Sequence, residues 1–502
     1  MNRPGTQYRS GLRTARAWAG AGACALLVAC MVGPRYAPPE PATTVPGAYP
    51  GAATDGAALG AGASRDDWWQ EFHDPQLDRL VEAALTGSPD LLAAEGRVAQ
   101  ARALAEAAGA HLYPQVNVDG RVGNDKLSLN GENLALIPFT PPRTAFTDYR
   151  IGFDASWEID LFGYTRRQAQ AALARAGSAE ESRNDARVVL AAEVARNYLS
   201  YTVAVERLAV AGRNEAAYAD TARLVGLQHA AGVASDLELN RAQADELASN
   251  SVSPALYADR QAALFRLATL TGLAVEAVQP MLSARQPPAL DEAAIPVGLP
   301  ADLLRRRPDV RRAERDLAAA TADAGAAVAA QFPRLSLVGS VGLDSVHPGE
   351  LAQAASRYWN VGPQLSVPVF SAGLLRHEAR AAEAARQAAI ASYRSVVLNA
   401  LADAETALVR YTTDVRRAQA VRAAAGRLRG ALDLTRLRYK AGEATLLEVM
   451  DAERAVYGLE DQLATLDGLV ATDYVALQKA LGGGWQSSSA SGADGSASPP
   501  TQ

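Results

Sequence analysis

Residues 163–230 and 373–441 contain no proline, and good helix formers, above all alanine and arginine, dominate both stretches, so each predicts one uninterrupted helix. At 1.5 Å per residue either would reach roughly 100 Å, a length that no compact domain requires. Each is followed by a glycine, Gly232 and Gly442, and then by a second helical pattern. The expectation is a pair of antiparallel helix hairpins whose turns lie far from the strands. Abundant alanine lets such helices approach closely, as a curved wall of helices demands.

The long stretches belong to an internal repeat. Laying 89–123 over 308–342 without a gap matches Pro89 with Pro308, Asp90 with Asp309, Glu95 with Glu314, Pro114 with Pro333, Gly120 with Gly339 and Gly123 with Gly342. At a second constant offset Gly152, Ser156, Gly163, Arg166, Tyr201, Gly232 and Glu238 fall on Gly362, Ser366, Gly373, Arg376, Tyr411, Gly442 and Glu448. Shared glycines and prolines at one offset indicate a tandem duplication. The expected boundaries are a first repeat at 65–280, a proline-rich linker at 281–300 and a second repeat at 301–481. Each half reads helix, strand, strand, very long helix, helix. Pro89 and Pro308 open the first helices, a favoured first-turn position, and Pro114 and Pro333 stop them. The run Arg305-Arg306-Arg307 reads as a solvated surface.

Four segments alternate with period two. In 149–159, Tyr149, Ile151, Phe153, Ala155, Trp157 and Ile159 share one face, and Arg150, Gly152, Asp154, Ser156 and Glu158 the other. Val116, Val118 and Val122 alternate with Asn117, Asp119 and Arg121; Leu335, Leu337, Val341 and Leu343 with Ser336, Ser340 and Asp344, broken by Val338; and Trp359, Val361, Leu365, Val367 and Val369 oppose Asn360, Gln364 and Ser366. Strands of this length with aromatics near their ends fit a membrane-crossing β-sheet, and equally a half-buried hairpin in a soluble one. If they lie in lipid, four strands leave an open edge with unpaired backbone groups. Three chains would close a twelve-stranded barrel with its polar face inward.

The N-terminus reads as an export address. Arg3, Arg9, Arg13 and Arg16 precede the apolar run 17–29, too short to span a bilayer as a mature helix. It ends Leu27-Val28-Ala29-Cys30, which resembles a bacterial lipobox. The expectation is a signal peptide at 1–29, diacylglycerol and palmitoyl groups on Cys30, and, with Met31 rather than aspartate in the next position, sorting to the outer membrane. Residues 30–64, rich in proline, read as an extended tether, and 482–502, rich in glycine and serine, as a disordered tail.

Composition narrows the function. A formal net charge of −6 with 21% charged residues gives no basic footprint for nucleic acid. The two cysteines lie before residue 31 and the five histidines are scattered, which leaves no metal site, cofactor site or catalytic thiol in the body. Neither HExxH, GxxxxGK[ST], GxSxG nor a strand-led GxGxxG occurs, so no enzyme is expected.

Taken together the chain resembles a TolC-like outer-membrane efflux factor, in the lipoprotein branch that serves resistance-nodulation-division (RND) pumps. The resemblance rests on Trp69 with Phe72-His73-Asp74-Pro75 and Leu77, on Trp157-Glu158-Ile159-Asp160-Leu161-Phe162-Gly163, and on Gly298-Leu299-Pro300 leading to Leu303-Leu304-Arg305-Arg306-Arg307-Pro308-Asp309-Val310. It extends through Arg438-Tyr439, Gly442 and Thr445 to Lys479-Ala480-Leu481-Gly482-Gly483-Gly484-Trp485. It implies an α+β membrane protein, a homotrimer whose twelve-stranded transmembrane β-barrel continues into a twelve-helix periplasmic α-barrel tunnel with an equatorial domain. It also implies a passive exit duct in the outer membrane, driven by an inner-membrane RND pump through a periplasmic adaptor (membrane fusion) protein. The implied adaptor-docking tips are Gly232, Ser235, Leu237, Arg438, Gly442, Thr445 and Leu447. The implied periplasmic gate is Glu238, Tyr439, Glu443, Glu448 and Asp451. The arginine of the family's hydrogen-bonded latch falls at Ala444, so that latch does not form here in the familiar way. Two rivals use the same features: the exit duct of a type I protein secretion system, and a lipid-anchored structural coiled-coil protein of the envelope.

Overall fold

A computed structural model describes residues 31–38, 59–60, 66–128, 144–282, 295–296, 300 and 305–485. The signal peptide, Cys30, most of the tether and residues 486–502 lie outside the described residues. The helices longer than two turns are α1 (Pro75–Gly87), α2 (Pro89–Ala110), α3 (Tyr164–Ala230), α4 (Asp236–Asn250), α5 (Val252–Thr271), α6 (Pro308–Ala329), α7 (Leu374–Lys440) and α8 (Leu446–Ala480). The long strands are β1 (Gln115–Lys126), β2 (Ala145–Ile159), β3 (Arg334–Ser345) and β4 (Arg357–Ser366), and a two-residue parallel pair joins Leu59–Gly60 to Ile295–Pro296. Corresponding elements match in length: α3 and α7 have 67 residues each, α2 and α6 have 22, and β1 and β3 have 12.

The helical part of the first half departs from expectation at its return arm, which is one helix in the second half (α8) and two, α4 and α5, in the first. Pro254 lacks the N–H that would continue the ladder, and Ser251 N–H bonds the Ala248 carbonyl three residues back instead. No single described helix is long and apolar enough to cross a membrane.

The chain divides into two compact units. Of the described residues the first holds 31–38, 99–128, 144–178 and 314–392, and the second 59–60, 66–98, 179–282, 295–296, 300, 305–313 and 393–485. The first unit is built on an antiparallel sheet in the order β1-β2-β3-β4. Its register stacks the period-two pattern across strands: Val118 opposes Phe153, which opposes Val341, which opposes Trp359. That face is open, with Val118 61%, Phe153 55% and Trp359 75% exposed. The other face carries Arg121 with Asp125 at 3.0 Å, Arg150 over the Tyr358 ring, and Ser340 bonded to Asn360. Val338, the break in the sequence pattern, stands opposite Ser156 and Gly362 on this polar side without disturbing the register. Among the described residues neither outer edge of the sheet, β1 or β4, has a strand partner.

Strand β2 turns into α3 at Asp160, whose carboxylate accepts from the N–H groups of Gly163 (2.7 Å) and Arg166 (2.8 Å). Gly163 takes φ +91°, a conformation that favours glycine, and Phe162 stacks on Phe332. This corner is the physical content of the Trp157–Gly163 motif.

The second unit contains the main core. Trp68, Phe72, Leu77 and Leu80 pack with Tyr198 and Leu199 of α3, Leu267 of α5, Leu408 of α7 and Tyr474 and Leu477 of α8. Asp74 caps α1 through Gln76 N–H at 2.9 Å and accepts from Tyr198 Oη at 2.5 Å.

Two expectations fail in this unit. Arg307 is not a solvated side chain: it is 11% exposed and bridges Asp309 (2.8 Å) and Asp403 (3.1 Å) while donating to the carbonyls of Ala480 (3.0 Å) and Ala400 (3.4 Å). An arginine run looks solvated in sequence because the acids and carbonyls that answer it come from other elements. The tail does not begin at 482 either. Residues 482–485 are buried, Trp485 Nε1 donates to the Arg306 carbonyl at 2.9 Å, and the Arg311 guanidinium lies over its ring.

Candidate functional site

The two helix hairpins end in turns of identical construction. In the first, Gly232 N–H bonds the His229 carbonyl and Val233 N–H the Gln228 carbonyl; in the second, Gly442 N–H bonds Tyr439 and Glu443 N–H bonds Arg438. This is the paired helix-ending pattern that needs a left-handed residue, and both glycines take φ +75°. The next helices start in the same way. Ser235 and Glu238 cap α4 reciprocally, and Thr445 and Glu448 cap α8.

These capping boxes define the electrostatics of the tips. The Ser235 backbone N–H and hydroxyl donate to Glu238 and hold its carboxyl below the usual range. Thr445 does the same for Glu448, helped by the charge of Arg438. Arg438 itself donates to the Glu443 carbonyl at 3.0 Å, and Glu443 is exposed. Val233, Leu237 and Leu447 point into open space, 77%, 61% and 42% exposed.

Behind the turns the hairpins are joined by a small apolar cluster of Ala222, Val225, Ala242, Leu446 and Met450, with Leu239 and Tyr439 against it. Tyr439 pairs with the Gln228 amide at 3.0 Å. Deeper along the hairpins Arg454 grips both oxygens of Asp245 at 2.7 Å and stands 3.7 Å from Asp451, and Arg436 reaches Glu453 at 2.8 Å. Burial, with the Asp245 charge behind it, pushes the Tyr218 phenol up to about 12, and its ring meets Tyr457 edge-on.

The structure therefore gathers Glu238, Tyr439, Glu443, Glu448 and Asp451 at one end of the second unit, with Gly232, Ser235, Leu237, Arg438, Gly442, Thr445 and Leu447 in the turns themselves. Glu238 and Tyr439 are not bonded to each other: the carboxylate serves its own helix and the phenol is held by Gln228. Sequence reasoning missed Gln228, Asp245, Arg436, Glu453 and Arg454. Only Arg454 carried a local signal, three residues after Asp451; the others meet partners across helices, where spacing gives no clue. Among the described residues no three His, Cys, Asp or Glu side chains are placed to hold a metal ion.

Comparison with known proteins closes the description. The family described as outer membrane efflux protein matches residues 80–273 and 299–483. The chain is 34% identical over 420 residues to the pyoverdine export outer membrane protein OpmQ of Pseudomonas aeruginosa, covering 84% of this chain and 88% of that one. It is 32% identical over 476 residues to the outer membrane protein OprJ of the same organism, covering 92% and 96%. The solved structure of the outer-membrane channel OprN superposes with a TM-score of 0.84 at 34% identity, over 91% of this chain and all of that one.

Proposed function

The chain belongs to the outer membrane efflux protein family and is an outer-membrane efflux channel, and from that premise we propose how it closes, what it joins and where it is controlled. Three copies assemble into a twelve-stranded barrel, each contributing β1 to β4, and their long helices ring a periplasmic tunnel. The observation that carries this reading is the sheet: one face apolar and exposed, the other polar, and both edges unpaired among the described residues. In lipid each unpaired backbone group costs several kcal/mol, so the edges must meet other strands.

The chain descends from a duplicated half, and it conducts without catalysis. Diacylglycerol and palmitoyl groups on Cys30 tether it to the outer membrane. The exposed tips, with Val233, Leu237 and Leu447 around two glycine turns, dock a periplasmic adaptor that links the duct to an inner-membrane RND pump expelling small molecules. Glu443, Glu448 and Asp451 ring the periplasmic mouth, where three copies concentrate negative potential and favour cations. Glu238 and Tyr439 set the geometry of that mouth through the capping box and the Gln228 contact.

The protein mass of the detergent-solubilised mature form, measured by light scattering, tests the assembly: three chains are expected, and a stable monomer overturns it. In planar bilayers Glu448→Ala and Asp451→Ala should lower cation preference. Unchanged selectivity in both removes these acids from the mouth.

A further inference from the structure

Where the sheet gives way to α3, the first unit holds positive charge that nothing among the described residues answers. Arg167 is 5% exposed, yet among the described residues its guanidinium makes one bond, to Gln170 Oε1 at 3.2 Å, and its Nε and Nη2 are buried without a partner there. Burial first, then the charges of Arg35 and Arg166, push it below the usual arginine range. The neighbouring carboxylate is committed elsewhere: Asp160 accepts from Gly163 N–H and from both the N–H and the Nε of Arg166.

Residues 31–38 run past this cluster. Val32 N–H bonds the Phe162 carbonyl at 3.2 Å and Tyr36 Oη donates to Glu314 at 2.8 Å. Added Cβ atoms would meet Met31 at Gly163, Gly325 at Gly33 and Arg167 at Gly325, so strap, helix and arginine are in close succession. Arg35 on this strap is exposed. The level in the fold is marked by aromatics at the strand bases: Trp157 Nε1 donates to the Leu112 carbonyl, Phe162 stacks on Phe332, and the Arg334 guanidinium lies over the Tyr164 ring. Amphipathic rings of this kind collect at the headgroup level of a bilayer.

We propose that Arg35 and Arg167, beside the Asp160-held Arg166, form a binding site for a phosphate anion, supplied by the headgroup of an anionic phospholipid in the leaflet where the strands end. A guanidinium fork matches two phosphate oxygens, and the unanswered Nε and Nη2 of Arg167 are such a fork. Arg35 stands at the open side, where the anion enters, and the strap between Met31 and Tyr36 closes over it. The lipid assignment rests on reading the sheet as a membrane wall; the phosphate chemistry does not.

The test uses the full-length protein in vesicles of phosphatidylcholine alone and of phosphatidylcholine with phosphatidylglycerol, reading lipid retained after detergent extraction by native mass spectrometry. Retention of phosphatidylglycerol over phosphatidylcholine by roughly tenfold, weakened by salt, is expected. Arg35→Gln and Arg167→Gln should each reduce that preference towards parity, while Arg223→Gln, an exposed residue in the second unit, leaves it unchanged. Arg35 is exposed, so its variant keeps the test valid if Arg167→Gln fails to fold. A parallel arm in detergent reads the thermal midpoint with millimolar inorganic phosphate. Stabilisation by phosphate that Arg35→Gln abolishes, without lipid preference, supports the site with free phosphate as its source. Equal retention of both lipids with no response to phosphate, or a preference that survives both substitutions, overturns the proposal. Failure to insert into either vesicle refutes the membrane reading instead, and the phosphate arm still decides the site.

Discussion

Replacing Arg307 with methionine gives the sharpest test of how the second unit is held together. The side chain is 11% exposed and serves two carboxylates and two carbonyls, from the start of α6, from α7 and from the end of α8. Methionine keeps the stem and removes all of these bonds, leaving Asp309 and Asp403 without their cation. Breaking a buried pair from one side costs about 3–5 kcal/mol. A cavity of about 390 Å³ lined by Asp309, Asp403, Arg410 and Lys479 lies alongside and admits water, which places the cost at the lower end, about 3 kcal/mol. Arg307→Lys retains the charge but not the fork, and should cost about 1–2 kcal/mol. The assay is native-state hydrogen exchange at the first turns of α6: a 3 kcal/mol loss accelerates those amides by roughly a hundredfold.

The same variant carries a pH signature. Burial alone would raise the Asp309 carboxyl, but the bonds and charge of Arg307 and the Val310 N–H hold it below its ordinary value of 3.8. A group held low contributes stability above its unfolded pKa and loses it as pH falls through the folded one. The gap between Arg307→Met and the native protein should therefore narrow below about pH 4. Exchange at α6 within twofold of the native protein at neutral pH would refute the bridge as a source of stability.

Other expectations concern single positions. Burial and the neighbouring Asp414 carboxylate push Asp473 up to about 6, so its contribution is present at low pH and lost as pH rises through that value. Asp473→Asn should stabilise the protein at pH 8 by on the order of 1 kcal/mol, after allowance for partial exposure, with the difference gone below about pH 4 in thermal melts. An Ala at position 442 pays for φ alone, because a Cβ there meets open space: Gly442→Ala should lower local stability at the turn by about 1 kcal/mol, read by exchange, and Gly442→Asn by less. Thr445→Ala removes a cap and should cost about 1 kcal/mol at the start of α8, whereas Thr445→Ser should be silent; equal exchange in both variants would remove the capping box from the account of the tip.

Much of the candidate site was legible because its rules are local. The tip glycines, the Ser235/Glu238 and Thr445/Glu448 spacings and the ends of α2 and α6 all follow from a few neighbouring residues. What those acids bond was not legible. Glu238 matched a latch position in the sequence, yet its carboxylate is taken by its own capping box, and Tyr439 turned out to face Gln228 of another helix. The Asp245–Arg454 pair joins residues more than two hundred positions apart, and no periodicity announces it.

The sequence by itself determined the element types, because helix propensity, proline placement and period-two alternation act over a few residues: the two 67-residue helices, the four strands and their apolar and polar faces are all of this kind. It also marked the family. Only the tertiary structure decided which charges are answered. It made Arg307 a buried bridge rather than a surface cation, drew Trp485 into the fold from an apparent tail, split the first return helix at Ser251, just before Pro254, and left Arg167 buried with donors that no described residue answers. A side chain's solvation and partners are set by whatever distant segments surround it, and that is information carried by the packed chain as a whole.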